Sequence, residues 1–171
     1  MANVLTAFFS MTGETYANGS VVNLDKGFTH IAAVYIQEAV GGDLFHIEQV
    51  RGYSADHFKM IEEAKEELQS DARPELKQYL ENIDHYDTII LAFPNWWNTL
   101  PMPVVTFLTK YDLTGKMIIP FNTSGGGGFG KSINAIKKYA SGAVVKDGLT
   151  VPGTQVESSK TRIQEWARAL F

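Results

Sequence analysis

Hydrophobic positions along this chain follow two periods. Short apolar runs rich in β-branched and aromatic residues occur at Val4–Phe9, Leu44–Val50, Thr88–Phe93, Met117–Phe121 and Ala143–Val151. Each reads as a strand. The third, TIILAF, is apolar nearly throughout, the pattern of a strand covered on both faces. Between the runs the spacing lengthens to three and four. Ile31, Tyr35 and Ala39 mark one helix; Ile61, Ala64 and Leu68 mark another, whose far face is charged. Ile133, Ile136 and Ala140 mark a third. Ile163, Trp166, Ala167 and Leu170 mark a fourth, with Ser158 or Ser159 as its cap. Pro74 breaks any continuous helix between Asp71 and Asp87. Alternating strands and helices predict a single domain, 1–171, in which helices sandwich a parallel sheet. Such sheets bind ligands outside the carboxyl ends of their strands. The loops after the first, third and fourth runs are therefore the candidates for chemistry.

The first loop offers two helix starts. From Thr15 the chain would read YANGSVVNLDKG, with turn residues at Asn18-Gly19 and two valines: a poor helix. From Thr29 it reads HIAAVYIQEAV, free of Gly and Pro. The helix is expected near Thr29, with residues 11–26 an inserted excursion that turns as a hairpin at Asn18-Gly19. Gly27, Phe28 and Thr29 would then present free N–H groups at a helix N-terminus, which suits a phosphate without Lys or Arg. Ser10 can add its hydroxyl. The structural alternative is a turn glycine and an ordinary threonine cap.

The third run leads into FPNWWNTLPMPV, where two adjacent tryptophans stand between prolines. Neighbouring side chains on a strand point to opposite faces, so both cannot enter one core. At least one is exposed or faces a planar ligand. The fourth run leads into FNTSGGGGFGKS. Its glycines let backbone approach a ligand closely. The stretch also fits the nucleotide P-loop (Gly125, Gly130, Lys131, Ser132) and the dinucleotide fingerprint (Gly125, Gly127, Gly130). Both are set aside: a glycine run satisfies any glycine template, and only 39 residues follow Ser132, too few for the rest of a P-loop domain. A phosphate at the first loop, a flat ring beside tryptophan and polar ring edges against glycine backbone together describe flavin mononucleotide (FMN).

Composition narrows the picture. There is no cysteine, which excludes disulfides and thiolate chemistry. Net charge is −4, which argues against nucleic acid. No apolar run reaches membrane-spanning length, and no basic, apolar leader opens the chain, so a cytoplasmic protein is expected. His30, His46, His57 and His85 lack metal-ligand spacing and read as surface residues, with only His30 near the phosphate.

End to end, the chain resembles the short-chain flavodoxins. The resemblance rests on Ser10 with Gly27–Thr29, on YDTIILAFPNWWNTLPMPV and on PFNTSGGGGFG. It departs in the phosphate loop, which is in one piece in similar proteins and here is split by the insert, with Phe28 in the place of an Asn. The resemblance implies a flavodoxin-like three-layer sandwich with five parallel strands in the order 2-1-3-4-5. It implies an FMN-dependent electron carrier working between redox partner proteins. Ser10, Met11, Gly27, Phe28 and Thr29 would hold the phosphate. Trp97 would stack on the ring and Trp96 cover an edge, while Pro94, Asn95, Asn98 and Thr99 shape the ring's reactive side. Thr123, Ser124, Gly125, Gly126 and Gly127 would meet the pyrimidine edge. No side chain is needed as acid or base. The alternative is an NAD(P)H-dependent FMN or quinone reductase on the same fold. The Pro94-x-x-Trp97 loop resembles that group too, and carriers tend to be more acidic than this chain. A phospho-receiver domain shares the strand order but needs acidic residues after the first strand, where VLTAFFS has none.

Overall fold

The computed structural model describes residues 3–171. Strand β1 (Val4–Phe8) is followed by a hairpin of β2 (Gly13–Ala17) and β3 (Ser20–Leu24), then α1 (Phe28–Val40) and β4 (Asp43–His46). Next come α2 (His57–Gln69), β5 (Thr88–Pro94), α3 (Met102–Lys110), β6 (Met117–Ser124) and α4 (Ser132–Tyr139). The chain ends with β7 (Val144–Val145), β8 (Leu149–Pro152), two 3₁₀ turns and α5 (Lys160–Arg168).

The main sheet runs β4-β1-β5-β6-β7, all parallel, with β8 also on β6. Counted along this sheet, the order is the expected 2-1-3-4-5. The fifth position is shared by two short strands, not filled by the single run read at Ala143–Val151. The pairing register slips by one residue between Ile118–Val145 and Phe121–Leu149. Pro120, without an N–H to give, stands in that gap. Gly148 lies so close to it that a Cβ would come within 1.9 Å of the Pro120 carbonyl oxygen.

Alternation along the central strands sorts the core into two layers. Leu5, Ala7, Phe9, Ile89, Leu91 and Phe93 face α3 and α4. Val4, Phe8, Ile90 and Ala92 face Ala32, Ala33 and Ile36 of α1 and Ile163 and Ala167 of α5. This is why TIILAF is apolar on both faces. Helix α3 has no counterpart in the sequence reading. Its prolines sit at the cap (Pro101) and in the first turn (Pro103), where no N–H is missed, and Met102 to Leu108 are buried. Burial on nearly all sides leaves no amphipathic period to read.

Two other expectations change. The second strand ends at His46; beyond it Gln49 makes an antiparallel bridge to Leu76 of the irregular link. Ser159 stands at the start of α5 without a side-chain cap bond, because a 3₁₀ turn, Glu157–Ser159, leads straight into the helix, and Ser158 Oγ instead donates to Gln155 O. Helix α2 has the real side-chain cap: Asp56 accepts a hydrogen bond from Lys59 N at 2.9 Å. Asp56→Ala should cost about 1 kcal/mol, read as a lower urea midpoint with an unchanged slope. An unchanged midpoint would mean that the cap does not form in solution. No helix among the described residues is long and apolar enough to cross a membrane.

Candidate functional site

The helix start is the one the sequence favours. Gly27 caps α1, and β2 and β3 form the hairpin, with left-handed φ of 52° and 83° at Asn18 and Gly19 as a two-residue turn requires. Gly27 is needed for space, not for its own dihedral: its φ is −66°. A Cβ on it would lie 2.1 Å from Ser10 Oγ and 2.3 Å from Met11 O. Ser10 Oγ accepts a hydrogen bond from His30 N at 3.1 Å, satisfying one of the helix's free donors. The N–H groups of Phe28 and Thr29 have no partner among the described residues. Two aligned amides at a helix N-terminus form an anion site. Burial, with Lys26 and His46 nearby, holds the His30 imidazole below the usual histidine range.

Phe28 and the hairpin tip, Thr15 to Gly19, belong to the wall of a cavity of about 520 Å³ at the carboxyl ends of the strands. Thr15, inside the insert, is thus on this wall. The remaining wall comes from His57, Met60, Ile61 and Ala64 of α2, from Pro94, Asn95, Trp96 and Trp97, from Thr123, Ser124 and Gly125, and from Pro152 to Thr154. Among the described residues, no Asp, Glu, Lys or Arg lines the cavity.

The two tryptophans part company, as their adjacency demands. Trp96 is half-buried, with its ring edge-on to Phe9 (5.0 Å) and Tyr53 (5.2 Å). Trp97 is 44% exposed, and its Nε1 donates to Ile61 O at 2.8 Å, which lays the indole along α2. Lys65 Nζ lies 5.2 Å from that ring's centroid. Trp97 and Asn98 have φ of 51° and 65°, and Trp96 and Thr99 exchange both backbone hydrogen bonds, at 3.1 and 3.0 Å. This is a tight turn with two left-handed residues. For a residue as bulky as Trp that conformation is strained, a feature that collects at binding sites.

The glycine run also has a packing use that the sequence does not show. Gly125 lines the cavity; Gly126 and Gly127 do not. Gly127 and Gly130 let the loop approach the tryptophan turn: a Cβ at Gly130 would meet Asn98 Oδ1 at 2.1 Å, and one at Gly127 would meet Asn95 Nδ2 at 3.1 Å. The two loops are then bonded together. Asn95 Nδ2 donates to Gly128 O at 2.8 Å, and Lys131 N to Asn98 O at 2.8 Å. Ser124 Oγ accepts from Gly126 N and Gly128 N. Thr29 and Thr123, both buried, bond to each other through their hydroxyls at 2.8 Å, joining α1 to β6 under the cavity.

Of the residues read from the sequence, Phe28, Pro94, Asn95, Trp96, Trp97, Thr123, Ser124 and Gly125 share this one cavity. Ser10, Met11, Gly27, Thr29, Asn98, Thr99, Gly126 and Gly127 stand outside its wall. Ser10, Gly27 and Thr29 shape the helix start, and Asn98 with Thr99 completes the turn. The sequence reading predicted α2 but placed neither it nor Pro152 to Thr154 in the cavity wall. His57 was taken for a surface residue; it lies in the wall, and its Nδ1 is buried without a partner. Its only signal in the sequence was its place at the start of a helix with an apolar stripe.

The family profile described as Flavodoxin matches residues 3–170. No curated protein matches the chain. Among solved structures, one from Bacteroides eggerthii DSM 20697, provisionally a flavoprotein, is 29% identical and has a TM-score of 0.73. The match covers 95% of this chain and 98% of that one. Its counterpart from Bacteroides uniformis ATCC 8492 is 28% identical, with a TM-score of 0.75 and 96% and 97% covered. A flavoprotein of Lactobacillus acidophilus NCFM, solved in complex with FMN, shares the fold at 19% identity, with a TM-score of 0.68 and 92% and 98% covered. With its sheet order, its two-sided core and a family match over almost every residue, this chain belongs to the flavodoxin family.

Proposed function

We propose that the cavity binds FMN and that the protein carries electrons between redox partners through it. The observation that supports this best is the pair of free amides, Phe28 N–H and Thr29 N–H, at a helix end whose Phe28 shares a cavity with two tryptophans. The Lactobacillus protein with the same fold holds FMN. The bound flavin would supply the redox chemistry. The chain's own residues bind and orient. Phe28 N–H, Thr29 N–H and the Ser10 hydroxyl receive the phosphate, and Met11 N–H stands beside them in sequence. Gly27 keeps Ser10 and the helix start in contact. Trp97, held to Ile61 O, offers a ring face, and Trp96 covers an edge. Pro94, Asn95, Asn98 and Thr99 shape the turn that borders the ring. Thr123, Ser124 and the Gly125–Gly127 backbone border its polar edge. Trp97 also keeps an aromatic surface exposed at the cavity, where a partner protein can approach.

A second reading, an NAD(P)H-dependent FMN or quinone reductase, is favoured by one observation. The hairpin tip and α2 wall the cavity in, which suits a small acceptor more than a docking protein.

One sequence of measurements decides. The purified protein, mixed with FMN and desalted, is expected to keep a yellow flavin spectrum. Steady-state NAD(P)H oxidation is then followed with a quinone or free flavin as acceptor. Colour without turnover supports the carrier, and turnover supports the reductase. If no flavin is retained, both readings fail.

A further inference from the structure

We infer that Trp96, Tyr53 and Glu67 form a relay that delivers one electron to an oxidant in the cavity, with Tyr53 as the donor and Glu67 as the base that takes its proton. The relay uses only residues of this chain. Its natural oxidant, a flavin excited by light, rests on the flavin reading above.

The three groups touch in series. Trp96 lines the cavity. Its ring meets Tyr53 edge-on, with centroids 5.2 Å apart. Tyr53 stands behind the wall, half-buried, and is not part of it. Its hydroxyl donates to Glu67 Oε2 at 2.5 Å, a length typical of a hydroxyl on a charged carboxylate. Glu67 belongs to α2 and is partly open to solvent. The other ring against Trp96 at similar range, Phe9 at 5.0 Å, is too hard to oxidise to take part.

Contact between aromatic rings alone is ordinary packing. The carboxylate changes the chemistry. A phenol that loses an electron becomes a strong acid, and without a base it leaves an unpaired positive charge in a half-buried place, which is costly. Glu67 takes that proton along a bond already made. Burial, with the Glu67 bond and charge, pushes the Tyr53 phenol far above its usual range, so it rests neutral with a proton to give. Tyr16, the one tyrosine in the cavity wall, stacks on His57 and has no carboxylate on its hydroxyl among the described residues. Tyr86 has such a bond, to Asp43 at 2.5 Å, but it precedes β5 at the other end of the sheet, where its ring meets His85. Among the described residues, Tyr53 alone joins a tryptophan of the wall to a carboxylate.

The step balances as follows. The oxidant gains one electron and the Trp96 indole loses it. Tyr53 gives one electron to the indole, which regains any N–H proton it shed to solvent. The Tyr53 hydroxyl proton passes to Glu67 Oε2. The products are an intact indole, a neutral tyrosyl radical and a protonated Glu67. No bond between heavy atoms forms or breaks. One electron from a thiol or similar reductant in solution, with the proton returning from Glu67, resets the tyrosine.

The test uses the full chain, first without flavin. Azide radicals made by pulse radiolysis oxidise tryptophan selectively. Decay of the tryptophan radical band against the rise of the tyrosyl band then gives the transfer rate. The parent is expected to show a phase whose rate is independent of protein concentration and slower in heavy water. Tyr53→Phe keeps a ring against Trp96 and should remove that phase, as should Trp96→Phe. Glu67→Gln keeps an oxygen near the hydroxyl but no base, and should slow it at least about tenfold. Tyr86→Phe should change nothing. With FMN bound, a laser pulse into the flavin should raise the tyrosyl band in the parent and not in Tyr53→Phe. An unchanged phase in Tyr53→Phe or Glu67→Gln, each shown folded by its melting curve, overturns the inference. Should Tyr53→Phe fold poorly, Glu67→Gln and the heavy-water effect decide. The phase in a chain that retains no FMN keeps the relay and removes the flavin reading; FMN retained without the phase does the reverse.

Discussion

Gly27→Val should lower the affinity for FMN by about a hundredfold while changing that for riboflavin little. The glycine's dihedral is one any residue adopts, so the cost comes from space alone. A Cβ there overlaps Ser10 Oγ and the Met11 carbonyl oxygen, at 2.1 and 2.3 Å. Ser10 has no longer side chain to swing aside, and Met11 O is backbone. The end of β1 and the start of α1 must move apart. That movement breaks the bond from His30 N to Ser10 Oγ and misaligns the Phe28 and Thr29 amides. Hydrogen bonds to a charged group are worth roughly 1.5–3 kcal/mol each. Losing the equivalent of one to two of them, about 3 kcal/mol, corresponds to roughly a hundredfold in Kd. Riboflavin has no phosphate and does not use these donors. Quenching of flavin fluorescence, titrated with both ligands, gives the two constants, and a thermal melt separates binding loss from unfolding. A loss equal for both ligands would place the phosphate away from α1.

That experiment tests a feature the sequence made readable, and the reason is local. Asn18-Gly19 can form a two-residue turn, and residues 15–27 cannot propagate a helix, so the hairpin and the helix start follow from neighbouring residues. The sheet was readable for a similar reason: β5 is apolar on both faces because both are covered. Helix α3 was not, because its prolines and β-branched residues suggest a break, and only its burial on nearly all sides makes it a helix. The fifth strand was read as one because nothing adjacent to Gly148 shows that Pro120, 28 positions earlier, lies against it. The cavity divides the same way. Its strand-end loops were legible from unusual residues, two tryptophans and a glycine run. Its α2 wall was not, since Met60, Ile61 and Ala64 look like any helix stripe and His57 like any exposed histidine. The glycines were seen, but the loop they pack against was not. They fit closely around Asn95 and Asn98, a contact between two loops more than 25 residues apart.

Trp97→Ala should weaken FMN binding at least tenfold and relieve most of the quenching of flavin fluorescence. The indole is already in position before any ligand arrives, through the Nε1 bond to Ile61 O and the turn that fixes residues 96–99. Little ordering is left to oppose stacking. Stacked aromatic pairs are worth about 0.5–1.5 kcal/mol beyond area burial. Covering roughly half of the exposed indole surface, on the order of 50 Å², adds about 1 kcal/mol at ~25 cal/mol per Å². The sum, roughly 2 kcal/mol, is more than tenfold. Relief of strain does not rescue the variant, because alanine at φ 51° is strained as well. Trp97→Phe separates stacking from anchoring: it keeps a ring but loses the donor to Ile61 O, and should fall between parent and alanine. Trp96→Ala provides the contrast. Its ring is half-buried against Phe9 and Tyr53, so its removal should lower the melting temperature more than it lowers FMN affinity. If Trp96→Ala abolishes quenching and Trp97→Ala does not, the ring lies on Trp96, and the exposed indole of Trp97 is left to meet the redox partner instead.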